Sequence, residues 1–199
     1  MPERDPTDDF PLHPAGTTAP AEPGTAGEPA TRGETAPRSW RRDAAEGRLA
    51  AGSTVVFRRT FTAREVEEFG RLTRDYNPVH FEPRFAALKG FPTVVAHGLL
   101  TGAMVCEAGG QWAWLADGMS FRFLRPVDVG DTIECRVTIR EVGERGRARA
   151  DAEMTNQRGE TVLRAELTGF VPVGEERKLL GEMIAAGDPT NPLGERRRS

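Results

Sequence analysis

The sequence predicts an α+β domain in which an antiparallel sheet wraps around a long central helix. Two observations lead to this expectation. The segment 97–115 is apolar on most faces and rich in Gly and Ala, which is typical of a helix buried against a sheet. After it, apolar and polar residues alternate with period two, so each strand has one buried and one exposed face, as a sheet covered on one side requires.

The first elements are a strand and a helix. Residues 54–61 are rich in β-branched and aromatic residues, which favours a strand. Thr62 and Glu65 have the spacing of a capping box, so a helix should begin there. The apolar residues that then recur at helical spacing are Val66, Phe69 and Leu72. The Asn77-Pro78 pair ends this helix, and residues 85–88 form a short helical turn before the central helix.

Four strands complete the domain. Their inward residues are small or apolar, and turns are expected at 143–146 and 156–159, where Gly and Asn occur. The inward residues are Phe121 and Phe123; Ile133, Cys135, Val137 and Ile139; Ala148, Ala150, Ala152 and Met154; and Leu163, Ala165 and Leu167.

The 199 residues divide into a core and two tails. Residues 1–52 hold eight of the fifteen prolines and nine acidic against six basic residues, so we expect a disordered extension, with a short docked helix at 40–49 as the alternative. Residues 53–172 form the domain, with sixteen charges of each sign. Residues 173–199 form a tail, with a short helix and then a disordered, solvated end, ERRRS.

Several classes of protein are excluded by this composition. The longest apolar runs are too short to span a membrane, and the first residues lack a secretory pattern. The net charge of −3 lies in the first tail and argues against nucleic-acid binding. Cys106 and Cys135 cannot form a zinc site alone and indicate reduced thiols in a cytoplasmic protein; no metal site is expected.

Two of the three histidines lie in unusual segments, whereas His13 falls in the first tail and has no expected role. Asp75 and His80 bracket a turn stiffened by Pro78, so both side chains can point to one place and act as an acid/base pair. Asn77 can hydrogen-bond the backbone or Asp75. A helix cap, an Asn-Pro turn and a surface histidine would explain the same residues without catalysis.

Gly98 opens the central helix, where the first backbone amides lack partners and carry the positive end of the helix dipole. A glycine there lets a ligand oxygen approach the amide, which suits an oxyanion site. Close contact between helix and sheet would also require a glycine. We expect His97 to be buried and hydrogen-bonded and to have no catalytic role.

Two segments together resemble the hydratase motif of the MaoC-like family, which comprises R-specific enoyl-thioester hydratases and related dehydratases. They are Asp75-x-Asn77-Pro78-Val79-His80 and Ala96-His97-Gly98-Leu99. Three flanking segments also resemble the family. They are the stretch from Phe61 to Phe69, Phe81-Glu82-Pro83, and Phe123-x-x-Pro126-Val127-x-x-Gly130-Asp131-Thr132. The resemblance covers residues 54–172.

The resemblance implies a hot-dog fold and a homodimer formed through edge strands. Asp75 and His80 match the catalytic pair, and Gly98 matches the residue whose N–H binds the thioester carbonyl. Leu99 stands where many members have Met, and residues 101–104 lack a serine that many members carry.

The predicted function is therefore the reversible hydration of a trans-2-enoyl thioester to a 3-hydroxyacyl thioester. Asp75 takes a proton from water, and His80 orients the water and supplies a proton to C2. No resident cofactor is expected, because CoA or the phosphopantetheine of an acyl carrier protein is part of the substrate. The candidates for the acyl pocket are Tyr76, Phe81, Phe85, Leu99, Trp112 and Trp114.

Three alternatives stay open. A hot-dog thioesterase would use a carboxylate on the central helix, for which Glu107 is the candidate. The same site could add an amine or another nucleophile in place of water, or run only in the dehydrating direction. A non-catalytic acyl-binding subunit is the third. Arg84 and Lys89 could meet phosphate or an acidic carrier protein, or simply face solvent.

Overall fold

The computed structural model describes residues 40–191, which form one five-stranded antiparallel sheet with the helices packed mainly against one face. The strand order is β1-β3-β4-β5-β2, so β1 and β2 are the edges. The strands are β1 (Thr54–Thr60), β2 (Leu115–Phe123), β3 (Thr132–Val142), β4 (Arg147–Thr155) and β5 (Thr161–Phe170). The helices are α1 (Trp40–Ala45), α2 (Ala63–Thr73), α3 (Pro83–Leu88), α4 (Gly98–Gly102), α5 (Val105–Trp112) and α6 (Glu175–Ala185).

The three inner strands confirm the predicted alternation of buried and exposed residues. On β3, the side chains of Ile133, Cys135, Val137 and Ile139 are almost fully buried, and their neighbours face solvent. Burial raises the pKa of the Cys135 thiol to about 12, so it stays protonated. The turns at 143–146 and 156–159 also occur where predicted. The sheet and the helices thus share one apolar core.

The central segment differs from the prediction of one helix over residues 97–115. It forms two short helices, α4 and α5, because the backbone tightens between them: the amides of Met104 and Cys106 bond to carbonyls three residues back. Helix α5 ends at Trp112 with Ala113 in the left-handed region at φ 49°, and Leu115 already belongs to β2. The inner face of both helices still packs on the sheet.

Helix α2 leads directly to the site. The predicted capping box is present: the Glu65 amide donates to Thr62 Oγ1, and the Glu65 carboxylate accepts from the Thr62 amide. Val66 is buried and Phe69 partly buried, as predicted. Leu72 is 82% exposed, so its predicted inward position is wrong. The chain from 71 to 78 is exposed throughout, because the last turn of α2 extends beyond the core.

Helix α1 packs on the core and shows that the alternative of a docked helix is correct for this segment. Trp40 packs edge-on against Phe57 of β1, with ring centroids 5.2 Å apart. Arg41 donates to the carbonyl of Gly110 on α5 at 2.6 Å and pairs with Asp188 at 3.3 Å. The predicted disorder therefore does not extend to residue 52.

The remaining tail predictions concern residues that the structure leaves undescribed. Residues 1–39, which include His13, and 192–199, which include the basic end, lie outside the described part. Helix α6 is the short helix expected in residues 173–199. Within residues 40–191, every helix is too short or too polar to cross a membrane. Cys106 is exposed and Cys135 buried, and they are not bonded to each other.

Candidate active site

A tight turn after α2 carries the predicted acid and base. The Asp75 carboxylate accepts a hydrogen bond from the Asn77 amide at 3.2 Å, and the Asn77 side chain accepts one from the Val79 amide at 3.3 Å. Asn77 thereby caps a 3₁₀-helix, Pro78–His80, whose first position is held by proline. These local bonds turn the chain back, so that Asp75 and His80 approach each other.

The side chains of Asp75 and His80 face each other across a short gap. His80 Nε2 lies 4.0 Å from Asp75 Oδ2. Its Nδ1 lies 2.8 Å from the carbonyl oxygen of Val95, which can only accept, so Nδ1 carries the hydrogen and Nε2 is free to accept one. A water molecule between the two groups could hydrogen-bond to both.

Burial lowers the pKa of His80 below its ordinary value of 6.5. The nearby His97 ring lowers it further, whereas the bond to Val95 and the charge of Asp75 raise it. The net direction is downward, so His80 is neutral at neutral pH. A neutral imidazole with a bare Nε2 suits the acceptance of a proton from water.

His97 lies directly behind this pair and is buried and hydrogen-bonded, as the sequence indicates. Its Nε2–H donates to the backbone carbonyl of Asp75 at 3.0 Å. Its ring stacks on that of His80, with centroids 3.8 Å apart and planes 27° apart. Gly70 of α2 makes room for the ring of Phe81, which a Cβ at position 70 would meet at 2.6 Å. Phe81 in turn packs edge-on against both histidines.

Gly98 is the first residue of α4, so its N–H has no carbonyl partner within the helix. A Cβ at this position would lie 2.9 Å from the ring of Phe123, which is too close. One turn later, a Cβ at Gly102 would lie 3.2 Å from Phe121. The two glycines thus let Phe121 and Phe123 of β2 pack closely against α4. Close contact between helix and sheet, the alternative explanation for Gly98, is therefore present, and Gly98 also lines the cavity described next.

A cavity of about 310 Å³ adjoins these groups, and its lining includes both His80 and Gly98. The surrounding side chains are mostly apolar, as is usual for a small-molecule site. They come from the turn, the segment before α4, α4 itself and the ends of β2 and β5. The other lining residues are Asn77, Val79, Phe91, Val95, Ala96, Thr101, Phe123, Arg125, Pro126, Val127, Val162 and Leu163.

The residues proposed from the sequence for the acyl pocket do not line this cavity. Tyr76, Phe81 and Leu99 are exposed, and Phe85 is partly buried on α3. Trp112 is buried in the core, stacked on Trp114, because α5 turns this face towards the sheet. The strand residues that do line the cavity were missed. The sequence did hold a signal for some of them, because Phe123, Pro126 and Val127 belong to a segment that resembles the family and lies at the end of a strand.

Asp75, His80 and His97 form a group that offers metal-ligand atoms, all within 4.8 Å of one another. The Nε2 atoms of both histidines lie 4.0 Å from Asp75 Oδ2. However, His97 Nε2 carries the hydrogen bonded to the Asp75 carbonyl and offers no lone pair. The arrangement therefore suits water better than a metal ion.

The residues behind the alternative functions lie elsewhere. Glu107 is partly buried on α5, beside Cys135, and does not line the cavity. Arg84 binds its neighbour Glu82 at 2.9 Å, and this pairing lowers the pKa of the Glu82 carboxyl to about 2. The Lys89 ammonium lies over the Phe85 ring, 5.8 Å from its centroid.

Comparison with known proteins matches a family model described as the MaoC-like domain to residues 48–162. A 3-hydroxybutyryl-CoA dehydratase of Methylorubrum extorquens is 32% identical over 146 residues, which cover 70% of this chain and 91% of the relative. An (R)-specific enoyl-CoA hydratase of Aeromonas caviae is 31% identical over 102 residues, covering 48% of this chain and 75% of the relative.

Solved structures give the same result. An R-hydratase of Pseudomonas aeruginosa superposes with a TM-score of 0.60 at 27% identity, covering 64% of this chain and 85% of the other. The (R)-hydratase structure from Aeromonas caviae superposes with a TM-score of 0.59 at 29% identity, covering 62% and 98%.

Proposed function

The chain belongs to the MaoC-like domain family, and from this premise we propose that it catalyses the reversible hydration of trans-2-enoyl thioesters to 3-hydroxyacyl thioesters. The observation that carries the proposal is the pair Asp75 and His80, which face each other at 4.0 Å beside a cavity that Gly98 also lines. This geometry has a place for one water, for an acyl chain and for the oxygen of a thioester.

In the proposed mechanism, the thioester carbonyl accepts a hydrogen bond from the Gly98 amide. When water adds at C3, negative charge gathers on this oxygen as an enolate forms. A fixed amide at a helix start stabilises that charge more than it stabilises the neutral carbonyl, so it lowers the barrier. The mostly apolar lining of the cavity lowers the local dielectric constant and so strengthens the interaction.

Asp75 and His80 activate the water. Both begin as acceptors, the carboxylate through Oδ2 and the imidazole through its bare Nε2. One water proton passes to this pair as the oxygen bonds to C3, and a proton from the pair then goes to C2. Because the hydrogen of neutral His80 is on Nδ1, its Nε2 has no proton to give at the start. Asp75 therefore takes the water proton as the C3–O bond forms, and the pair returns that same proton to C2, so the addition balances.

The pH dependence follows from the lowered pKa of His80. Protonation of Nε2 removes the acceptor, so kcat/KM for hydration should reach a plateau above pH 6.5 and fall as the pH drops below it through the lowered pKa. The same shift makes folding stability complete above pH 6.5 and decreasing on the acid side. Initial rates measured from pH 4.5 to 8 check this; a loss of activity centred above pH 6.5 would contradict it.

The test of function is an assay of purified protein with short trans-2-enoyl-CoA substrates. Hydration removes the conjugated double bond, so the absorbance of the enoyl thioester should fall without release of free thiol. The matched control is the saturated acyl-CoA of equal length, which should remain intact. Thiol release from that control would instead indicate a thioesterase, and no change in either substrate would leave the acyl-binding alternative.

The carrier and the assembly are also proposals. CoA or an acyl carrier protein supplies the thioester, and no resident cofactor takes part. A second copy of the chain pairs along the edge strand β2, whose Leu115, Met119 and Phe123 are exposed apolar residues. Light scattering should therefore give twice the chain mass of 21.8 kDa, and a monomer at micromolar concentration would contradict the dimer.

The proposed location is a reducing, cytoplasmic one, which the two unpaired cysteines support.

A further inference from the structure

His97 contacts both of the proposed catalytic groups, although the proposed chemistry gives it no step. Its side chain is only 2% exposed, and it is therefore one of the few polar side chains that are buried within residues 40–191. A buried imidazole must be held by specific contacts to offset the loss of water. Each of its contacts leads to Asp75 or His80 or to the aromatic rings beside them.

The first contact fixes the backbone of Asp75. The Nε2–H of His97 donates to the Asp75 carbonyl at 3.0 Å, a bond that joins positions 22 residues apart in the chain. Around Asp75 the chain from 71 to 78 is exposed. This bond therefore ties an exposed turn to the start of a buried helix.

The second contact fixes the ring of His80. The two imidazoles stack at 3.8 Å with planes 27° apart, and Phe81 packs edge-on against both. On its other side, His97 packs against Phe69 of α2, at 5.2 Å between centroids. In this stack, Nδ1 of His80 meets the Val95 carbonyl and Nε2 faces Asp75.

We propose that His97 is a positioning residue: its N–H sets the place of Asp75, and its ring sets the plane of His80, so that one water can contact both. This inference rests on the proposed function for its effect on rate. Its structural part does not, because the titration of His80 can be followed without substrate. The titratable groups facing His80 are Asp75 on its own turn and His97 before α4.

Two substitutions separate the two contacts. His97→Gln retains an N–H at about the position of Nε2 but removes the ring, whereas His97→Phe retains a ring but removes the donor. Both should lower kcat about 10²-fold, as expected for a misplacement of about 1 Å, and change KM little, because His97 does not line the cavity.

The titration of His80 distinguishes the variants. In the full-length protein labelled at histidine, His80 is assigned from the signal lost in His80→Gln. In His97→Gln, water gains access to the His80 ring, so its titration should move up towards pH 6.5. In His97→Phe, the ring stays covered and the titration should remain on the acid side. If His97 only fills space, His97→Phe should keep both the His80 titration and the wild-type kcat. A loss of kcat without a change of titration in this variant therefore assigns the role to the N–H that bonds to the Asp75 carbonyl.

Ile139→Val is the control for a loss of stability, since it removes one methyl group from the sheet core away from the site. The inference is overturned if both His97 variants keep the wild-type kcat, or lose it only in proportion to the unfolded fraction measured by circular dichroism. It is also overturned if His80 titrates identically in both variants. Absence of hydratase activity in the wild type would reject the proposed function, and the titration would still decide the position of His97.

Discussion

Asp75→Asn should lower kcat for hydration by about 10²–10⁴-fold while the protein stays folded. The amide cannot take a proton from water, but its oxygen can still accept the bond from the Asn77 amide that shapes the turn. The Asp75 side chain is 49% exposed, so the change removes no core packing. Loss of enoyl-thioester absorbance gives the rate, and circular dichroism checks the fold.

The matched control for this variant is Asp151→Asn. Asp151 lies on β4, where its carboxylate pairs with Arg140 at 2.6 Å. It is not part of the turn that carries Asp75 and His80. Exposed ion pairs contribute little to stability, and this one has no contact with the cavity. It should keep wild-type kcat. An Asp75→Asn variant within a few-fold of wild type would remove Asp75 from the mechanism.

Gly98→Ala should lower kcat/KM by about 10²-fold, the loss typical of one oxyanion donor. The added Cβ would lie 2.9 Å from the Phe123 ring, so the ring or the start of α4 must move. Either movement shifts the amide that is proposed to bind the thioester oxygen, and Phe123 also lines the cavity. The amide itself survives, so the effect is one of position.

Two further glycines grade this result. At Gly110 on α5, an added Cβ meets nothing within 4 Å, so Gly110→Ala should keep full activity and gain stability from its better helix propensity. At Gly102, the contact with Phe121 is looser, at 3.2 Å, and an intermediate loss is expected. If Gly98→Ala and Gly110→Ala have equal activity, the position of the Gly98 amide does not matter for catalysis.

The sheet could be predicted from the sequence because burial imposes period two on every inner strand. On β3, Ile133, Val137 and Ile139 alternate with polar residues, and these three apolar side chains are buried. The hot-dog fold implied by the resemblance is confirmed by the five-stranded sheet and by the R-hydratase structures. The break between α4 and α5 left no such trace, since helical periodicity is the same on both sides of a tightened turn.

The proximity of Asp75 and His80 could also be predicted, because the bend between them is local and Pro78 restricts it. The cavity lining could not, because Phe123 of β2, Leu163 of β5 and Arg125, just after β2, come together only in the folded sheet. The stack of His80 on His97 joins two separate segments and was likewise invisible in the spacing. Local geometry is encoded within a turn, whereas packing depends on the whole sheet.

The docking of α1 could not be predicted from its own residues for a related reason. Its sequence holds few apolar residues, which predicts that the segment does not become ordered by itself. Its stability comes from partners distant in the chain: Phe57 on β1 and the Gly110 carbonyl on α5. A short segment of low hydrophobicity can thus be ordered where the rest of the fold supplies the surface.

The central claim is that Asp75 and His80 act on the same water. The most direct measurement compares kcat for hydration in Asp75→Asn, in His80→Gln and in the double variant, all checked for folding by circular dichroism. Groups that act as a unit show non-additive losses, so the double variant should be no slower than the slower single variant, within a few-fold. Losses that multiply in the double variant, or wild-type activity that survives both substitutions, would contradict the shared water.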